Sequence, residues 1–454
     1  MTSEHDKGSL SWIDIIRIGL VQTSIGAIVV IATSTLNRVM VVEIGLPALV
    51  PGILMTLHYA VQILRPRWGH GSDGGQKRTP WIIGGMALLS SGGALAALGT
   101  AMMQNELTLG LIVALIAFLM IGIGVGAAGT SLLTLLAVRS HPARRAPAAT
   151  IVWTMMIAGF AVTAVSAGKA LDPFSGERMI MVSCVVSMIA FVVSTLAIWG
   201  IERKGTDRPQ DESKKVPFRE AFKQVWSEPR TRRFTFFVFT SMFAYNAQDL
   251  ILEPFAGLVF GMTPGQSTQL GGMQHSGVLV GMILVAIAGY FAGKGETLLL
   301  QRCMIGGCIA SGIAMAAVAA GGIIGPQWPI RSAVFVLGVA NGIFSIAAIG
   351  SMMAMARSGH ESREGVRMGL WGAAQALAFA LGGLTGTLAV DLARWAFGSA
   401  TPAYTSVFFG EAVLFILAAL LASLVARGDA QEKSQEKSQD KDQDTFEPRM
   451  EHAR

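Results

Sequence analysis

The chain has 454 residues, of which 52% are hydrophobic and 14% charged, with 53 glycines; ordinary soluble domains carry nearer a quarter charged residues, so a soluble enzyme is excluded. Its net charge of +6 sits in short connections between apolar runs, where orienting charges of a membrane protein account for it, and no nucleic-acid partner is expected.

The first dozen residues are polar and mixed in charge. The apolar stretch after them is too long and too dotted with polar residues for a signal-peptide core, and reads as a retained first helix. Apolar spans are predicted at approximately 14–42, 48–64, 80–103, 107–138, 147–168, 179–201, 234–260, 271–293, 298–321, 331–356, 366–393 and 404–426, most of them near or above the roughly 20 residues that cross a bilayer. The pattern predicts an all-α integral membrane protein of about twelve transmembrane helices.

Every second connection is basic: Arg65, Arg67, Lys77 and Arg78; Arg139, Arg144 and Arg145; the stretch 202–233; Lys294 and Arg302; then Arg357, Arg363 and Arg367. The intervening connections 43–47 and 104–106 have no Lys or Arg, and 169–178 has only Lys169 and Arg178. The basic connections and both termini are therefore expected on the cytoplasmic side of a bacterial inner membrane, cytoplasmic or intracytoplasmic. Thr79-Pro80 and Ala146-Pro147 place a proline in the first turn of spans three and five, where its missing N–H has no intrahelical partner anyway. Thr79 is the expected N-cap of span three.

The organisation expected is a first six-helix half over 1–201, a cytoplasmic linker over 202–233, a second half over 234–426 and a disordered tail over 427–454. Within the linker, FREAFKQVW suits a short amphipathic helix on the membrane surface. The tail alternates charges and carries almost no apolar residues to bury. At an offset of 218 residues the halves repeat a pattern: Arg139-Ser140, Arg145 and Trp153 correspond to Arg357-Ser358, Arg363 and Trp371. Repeated halves with a site at their mid-membrane interface are how transporter folds are commonly built. Gly122 and Gly126, Gly277 and Gly281, Gly338 and Gly342, and Gly382 and Gly386 each form GxxxG, which marks close helix packing. Cys184, Cys303 and Cys308 lie in apolar runs without metal-ligand spacing, so neither a disulfide framework nor a metal site is expected.

After span two, Gly69, Asp73, Lys77 and Arg78 follow a glycine, aspartate, basic-pair order that resembles the major-facilitator loop signature, though the aspartate lacks its usual following arginine. In that family such charges hold a cytoplasmic gate; a tight glycine turn with orienting charges is the alternative. Polar groups inside spans cost roughly 2.5–3.5 kcal/mol for a central charge, so each needs a partner or a wet cavity. Three clusters stand out: Asn37-Arg38 with Glu43 in span one; Gln248-Asp249 with Glu253-Pro254 in span seven; and His58, Tyr59 and Gln62 in span two. Asp249 and Glu253 are four apart and share a helix face. Arg38 is expected to pair with Glu253 or Asp249 as part of an outer gate, against the alternative that the carboxylates reach interfacial water. His58 and His275, within apolar spans, are candidate ligands for a metal-centred tetrapyrrole, against the alternative of hydrogen-bonded core histidines, Gln62 standing one turn from His58.

Three segments together carry a family resemblance: Leu36-Asn-Arg-Val-Met-Val-Val-Glu43; the loop Arg65 to Trp81 ending Lys-Arg-Thr-Pro-Trp; and Ala247-Gln-Asp-Leu-Ile-Leu-Glu-Pro-Phe-Ala-Gly257. Between about Trp12 and Ala426 the chain resembles the PucC/LhaA group of major-facilitator proteins, the bacteriochlorophyll delivery family of photosynthetic bacteria. Its opening looks closest to the branch labelled a bacteriochlorophyll synthase subunit. The resemblance implies a major-facilitator fold of two pseudo-symmetric halves. It also implies a role in assembling light-harvesting complexes, with bacteriochlorophyll or a precursor as cargo rather than as a covalently bound cofactor. Membrane lipids, the tetrapyrrole pigment, antenna polypeptides and a bacteriochlorophyll synthase are the partners it implies.

The spans show no second intramembrane partner for the Asp249 and Glu253 pair, whereas membrane prenyltransferases use paired acidic motifs to hold Mg²⁺. No catalytic residue and no intrinsic enzyme activity are therefore expected. A non-transporting scaffold for a pigment synthase and antenna proteins stays open, as does a generic transporter of an apolar molecule. Beyond span eight Asn341 and Gln375 are nearly alone as polar lining, which suits an apolar substrate.

Overall fold

The computed structural model describes residues 10–62, 77–141, 144–202, 223, 226–357 and 364–451. Among the described residues twelve α-helices follow one another. The first, α1, runs Trp12–Ile31 and continues through two π-helical stretches, Ala32–Leu36 and Val39–Glu43. Then come α2 (Leu49–Val61), α3 (Thr79–Met102), α4 (Leu107–Arg139), α5 (Arg145–Ala170) and α6 (Gly176–Ile198). The second set is α7 (Pro229–Phe260), α8 (Pro264–Ala292), α9 (Glu296–Ile324), α10 (Ile330–Arg357), α11 (Glu364–Phe397) and α12 (Ala400–Glu451). Ten of these are long and apolar enough to cross a membrane; the 13-residue α2 and the more polar α7 complete the bundle. This is a multi-pass membrane protein.

The helix ends follow from local chemistry. Ser11 caps α1 by accepting the Asp14 N–H at 3.2 Å, and the Asp14 carboxylate accepts the Ser11 N–H in return. Thr263 and Gln266 form the same box at α8, with Pro264 in the first turn. That box starts α8 seven residues before the expected span, whose polar opening turn hides it from a hydropathy reading. Pro229 likewise starts α7 five residues early. Thr79 is not the N-cap of α3 but lies within its first turn. The cap is the carboxylate of Glu202, just past α6, which accepts from the Arg78 and Thr79 N–H groups, each at 2.9 Å, and from the Thr79 hydroxyl. A carboxylate satisfies two orphan donors and the helix dipole together, which one hydroxyl cannot. The backbone of α12 continues past Arg427 to Glu451, where composition predicts a structureless tail. Gln, Glu and Lys, which dominate this stretch, are good helix formers.

Two large hydrophobic cores form, beside a smaller cluster of Val278, Met282, Val285 and Ile346 on α8 and α10. One draws its buried residues from α1 to α6, with Leu250 added; the other draws them from α7 to α12, with Val41 and Ala48 added. Beside the smaller cluster, the GxxxG pairs of α8 and α10 face each other. A Cβ on Gly277 would lie 2.3 Å from the Phe335 carbonyl oxygen, and one on Gly338 2.1 Å from that of Gln274, so the backbones meet directly.

The halves meet along α2 against α11 and α5 against α8. With twelve alternating helices both termini lie on one face of the bundle, here the terminus face. The hydrogen bonds described between the halves run from mid-bundle to the opposite face. There, Asp391 of α11 accepts the Ala48 and Leu49 N–H groups that open α2, at 3.0 and 2.8 Å, and Thr263 donates to Asp172 at 2.9 Å. Thr56 donates to the Ala380 carbonyl at 3.2 Å and marks the middle.

Candidate functional site

Ser34 and Thr35, in the first π-helical stretch after α1, and Asn37 just beyond it reach the second half. Ser34 donates to Glu253, Thr35 and Thr268 share a hydrogen bond of 3.0 Å, and Asn37 donates to the Leu250 carbonyl at 2.7 Å. That carbonyl is available because Pro254, four residues on, has no N–H to offer it. Gly271 of α8 leaves room for the Glu253 carboxylate: a Cβ there would come 2.4 Å from it. Glu253 is 3% exposed, and its second oxygen has no hydrogen-bond partner among the described residues.

Arg38 crosses the seam, but not to the expected partner. Its guanidinium pairs with Glu43 on its own segment and donates to the Met262 carbonyl of the second half at 2.6 Å. The reason is the π-helical winding. Hydrogen bonds there run between residues five apart, which brings Arg38 and Glu43 onto one face; in an α-helix they would point apart. Glu253 still lies within electrostatic reach of both Arg38 and Asp249.

Mid-bundle, Asn246 of α7 donates to the Phe379 carbonyl at 2.7 Å and accepts from Tyr59 of α2 at 3.5 Å. His58 and His275 are both buried. The Gln62 amide stands 3.0 Å from His58 Nε2, and the Tyr59 ring lies edge-on at 4.8 Å. His275 sits at the α5–α8 seam with its ring 5.0 Å from that of Phe160, and its Nδ1 has no hydrogen-bond partner among the described residues. A cleft inside the first half, lined by Ile28, Leu36, Gly93 and Val186, is too tight to admit a ligand.

Several residues that a span-by-span reading passes over join this region. Glu411 of α12 is 3% exposed and Gln274 of α8 2%, so the second half is more polar inside than Asn341 and Gln375 alone imply. The acid of Glu411 was visible within an apolar run; its depth was not. Of the loop residues, Gly69, Asp73 and Arg363 lie outside the described residues, as do the side chain of Arg357 and most of the expected amphipathic helix in the linker. Lys77 is exposed, and Arg78 heads α3 beside Glu202. Arg139 ends α4, its carbonyl accepting the Leu10 N–H at 2.9 Å, and Arg145 is exposed at the start of α5. The repeat's tryptophans differ: Trp371 is buried 5.0 Å from the Phe234 ring, whereas Trp153 is half-buried.

The family model described as "PUCC protein" matches residues 35–430. The chain is 50% identical over 414 residues to a Rhodobacter capsulatus protein named "Bacteriochlorophyll synthase 44.5 kDa chain", covering 91% of this chain and 95% of that one. It is 27% identical over 379 residues to "Protein PucC" of Cereibacter sphaeroides, covering 80% of each. Among solved structures, a bacterial homologue of the lysosomal transporter Spinster in an inward-facing, unoccupied conformation matches with a TM-score of 0.65 at 13% identity, over 91% of this chain and 96% of that one. A peptide transporter matches with a TM-score of 0.67 at 12% identity, over 91% and 95%. These likenesses show a major-facilitator fold.

Proposed function

We propose a function from one premise: the chain belongs to the PUCC protein family and is a photosynthesis-related membrane protein of bacteria. Within that family its role is to assist assembly of light-harvesting complexes by carrying bacteriochlorophyll, or a precursor, to antenna polypeptides. The observation that carries this reading is the 50% identity, across nearly the whole chain, to a relative whose name ties it to bacteriochlorophyll. The major-facilitator fold turns that tie toward carriage rather than synthesis, and the word synthase stays with the relative. The basic connections assign the terminus face to the cytoplasm. The bundle is then sealed toward the outside by the α1–α7 contacts and by Asp391 on α2, which suits loading from the cytoplasm or the inner leaflet. His275, buried at the α5–α8 seam with the Phe160 ring beside it, is the ligand this reading assigns to the magnesium of the pigment.

The test is the absorption spectrum of the full chain, purified gently from a photosynthetic host, beside His275→Ala and His58→Ala variants. The expected outcome is a bound bacteriochlorophyll whose absorption is lost or shifted in His275→Ala and kept in His58→Ala. A colourless protein that co-purifies with antenna polypeptides or a pigment synthase would replace carriage with scaffolding. A colourless protein with neither would return the chain to the generic transporters.

A further inference from the structure

Three side chains of the second half are buried beyond the needs of the seam. Gln248 of α7 and Asn341 of α10 are fully buried, Glu411 of α12 is 3% exposed, and none of their side-chain oxygens or amide nitrogens has a hydrogen-bond partner among the described residues. Their positions converge. The rings of Tyr245, Phe344 and Phe415 form a ladder joining α7, α10 and α12, with centroids 6.5 and 5.9 Å apart. Gln248 is three residues after Tyr245, Asn341 three before Phe344 and Glu411 four before Phe415. Because α10 and α12 run antiparallel to α7, each step is one turn toward the face opposite the termini, and on the same side of its helix as the ring. Asp249, half-buried, lies within electrostatic reach of Glu411.

We propose that Gln248, Asn341 and Glu411, one turn above this aromatic ladder, bind a hard monovalent cation of the sodium class. The carboxylate supplies one negative charge and two oxygens, and the amides supply one oxygen each. That count and charge fit an ion of single charge that keeps one or two waters, whose oxygens accept from the amide N–H groups. Among the described residues no group of three or more His, Cys, Asp or Glu side chains gathers as a divalent ion would require. A proton on Glu411 converts one acceptor into a donor and leaves the amides unmet. Isolated buried polar groups are costly in a membrane interior, and an ion bound there repays that cost in the folded state.

The use of such an ion, to bias the two access states, rests on the carrier reading; its binding does not, and is measured without cargo. The full chain in detergent is assayed for ²²Na⁺ by scintillation proximity at fixed pH, with NaCl or choline chloride as competitor. The expected result is saturable binding displaced by NaCl, with Glu411→Gln and Asn341→Leu each weakening it at least tenfold. Absence of saturable binding in the unsubstituted chain would overturn the proposal whether or not either variant folds, as would undiminished binding in both folded variants. Melting temperature is followed in parallel. A rise with NaCl but not with choline supports the site. Stability that responds to pH and not to sodium would assign the cluster to a proton instead. A sodium site with a colourless protein would sink pigment carriage and leave this inference standing.

Discussion

Arg38 shows how one side chain serves both the local helix and the seam. It is 2% exposed and holds Glu43 of its own segment and the Met262 carbonyl of the other half. Arg38→Ala leaves that carbonyl without its donor and is expected to destabilise the chain by about 1–3 kcal/mol, read from thermal melting in detergent. Arg38→Lys is expected to recover only part of this, because a lysine lacks the planar fork that reaches both acceptors. Equal melting of the alanine variant and the unsubstituted chain would show that the contact contributes nothing. The importance of Arg38 and Glu253 was legible as charge in an apolar run. Their partners were not, because a π-helical winding cannot be read from residue spacing that presumes an α-helix.

Among the elements, the α8–α10 crossing is the one where glycine is required for close approach. A side chain at Gly338 meets the Gln274 backbone, which cannot turn away as a flexible side chain can. Gly338→Val is expected to cost about 1–3 kcal/mol or more by overpacking, with melting lowered and expression reduced. The same change at Gly306, whose surroundings are open, is the control and is expected to leave melting unaltered. The motif was visible in both helices, but its partner was not: the two GxxxG stretches face each other inside one half rather than a second copy of the chain. The start of α8 was misjudged for an equally physical reason. A capping box and a proline define a helix end through hydrogen bonding, which hydropathy does not register.

For the whole molecule, the seam is the part that moves in a two-state carrier. With Cys184, Cys303 and Cys308 replaced, the pair Thr35→Cys and Thr268→Cys is expected to cross-link readily, since the two hydroxyls lie 3.0 Å apart. Adding Pro254→Ala restores an N–H that competes with Asn37 for the Leu250 carbonyl, and the cross-linking rate is expected to fall as the seam loosens. Failure of the first pair to cross-link would mean that this face is not closed in solution. An unchanged rate with Pro254→Ala would dismiss the part given to the freed carbonyl.

Ten of the twelve expected spans, the all-helical fold and the family itself were readable from the chain, because bilayer thickness sets span length and three segments together carry the family's character. Charge bias between connections sets an expectation for the side of each loop. Contacts between spans distant in the chain needed the folded bundle: Asp391 on the start of α2, Asn37 on the carbonyl freed by Pro254, Glu202 on α3, and the layer that gathers Gln248, Asn341 and Glu411. Sequence spacing reports which residues share a helix face. Which faces meet depends on the rotation and depth of each helix, and those follow from packing two hydrophobic cores at once.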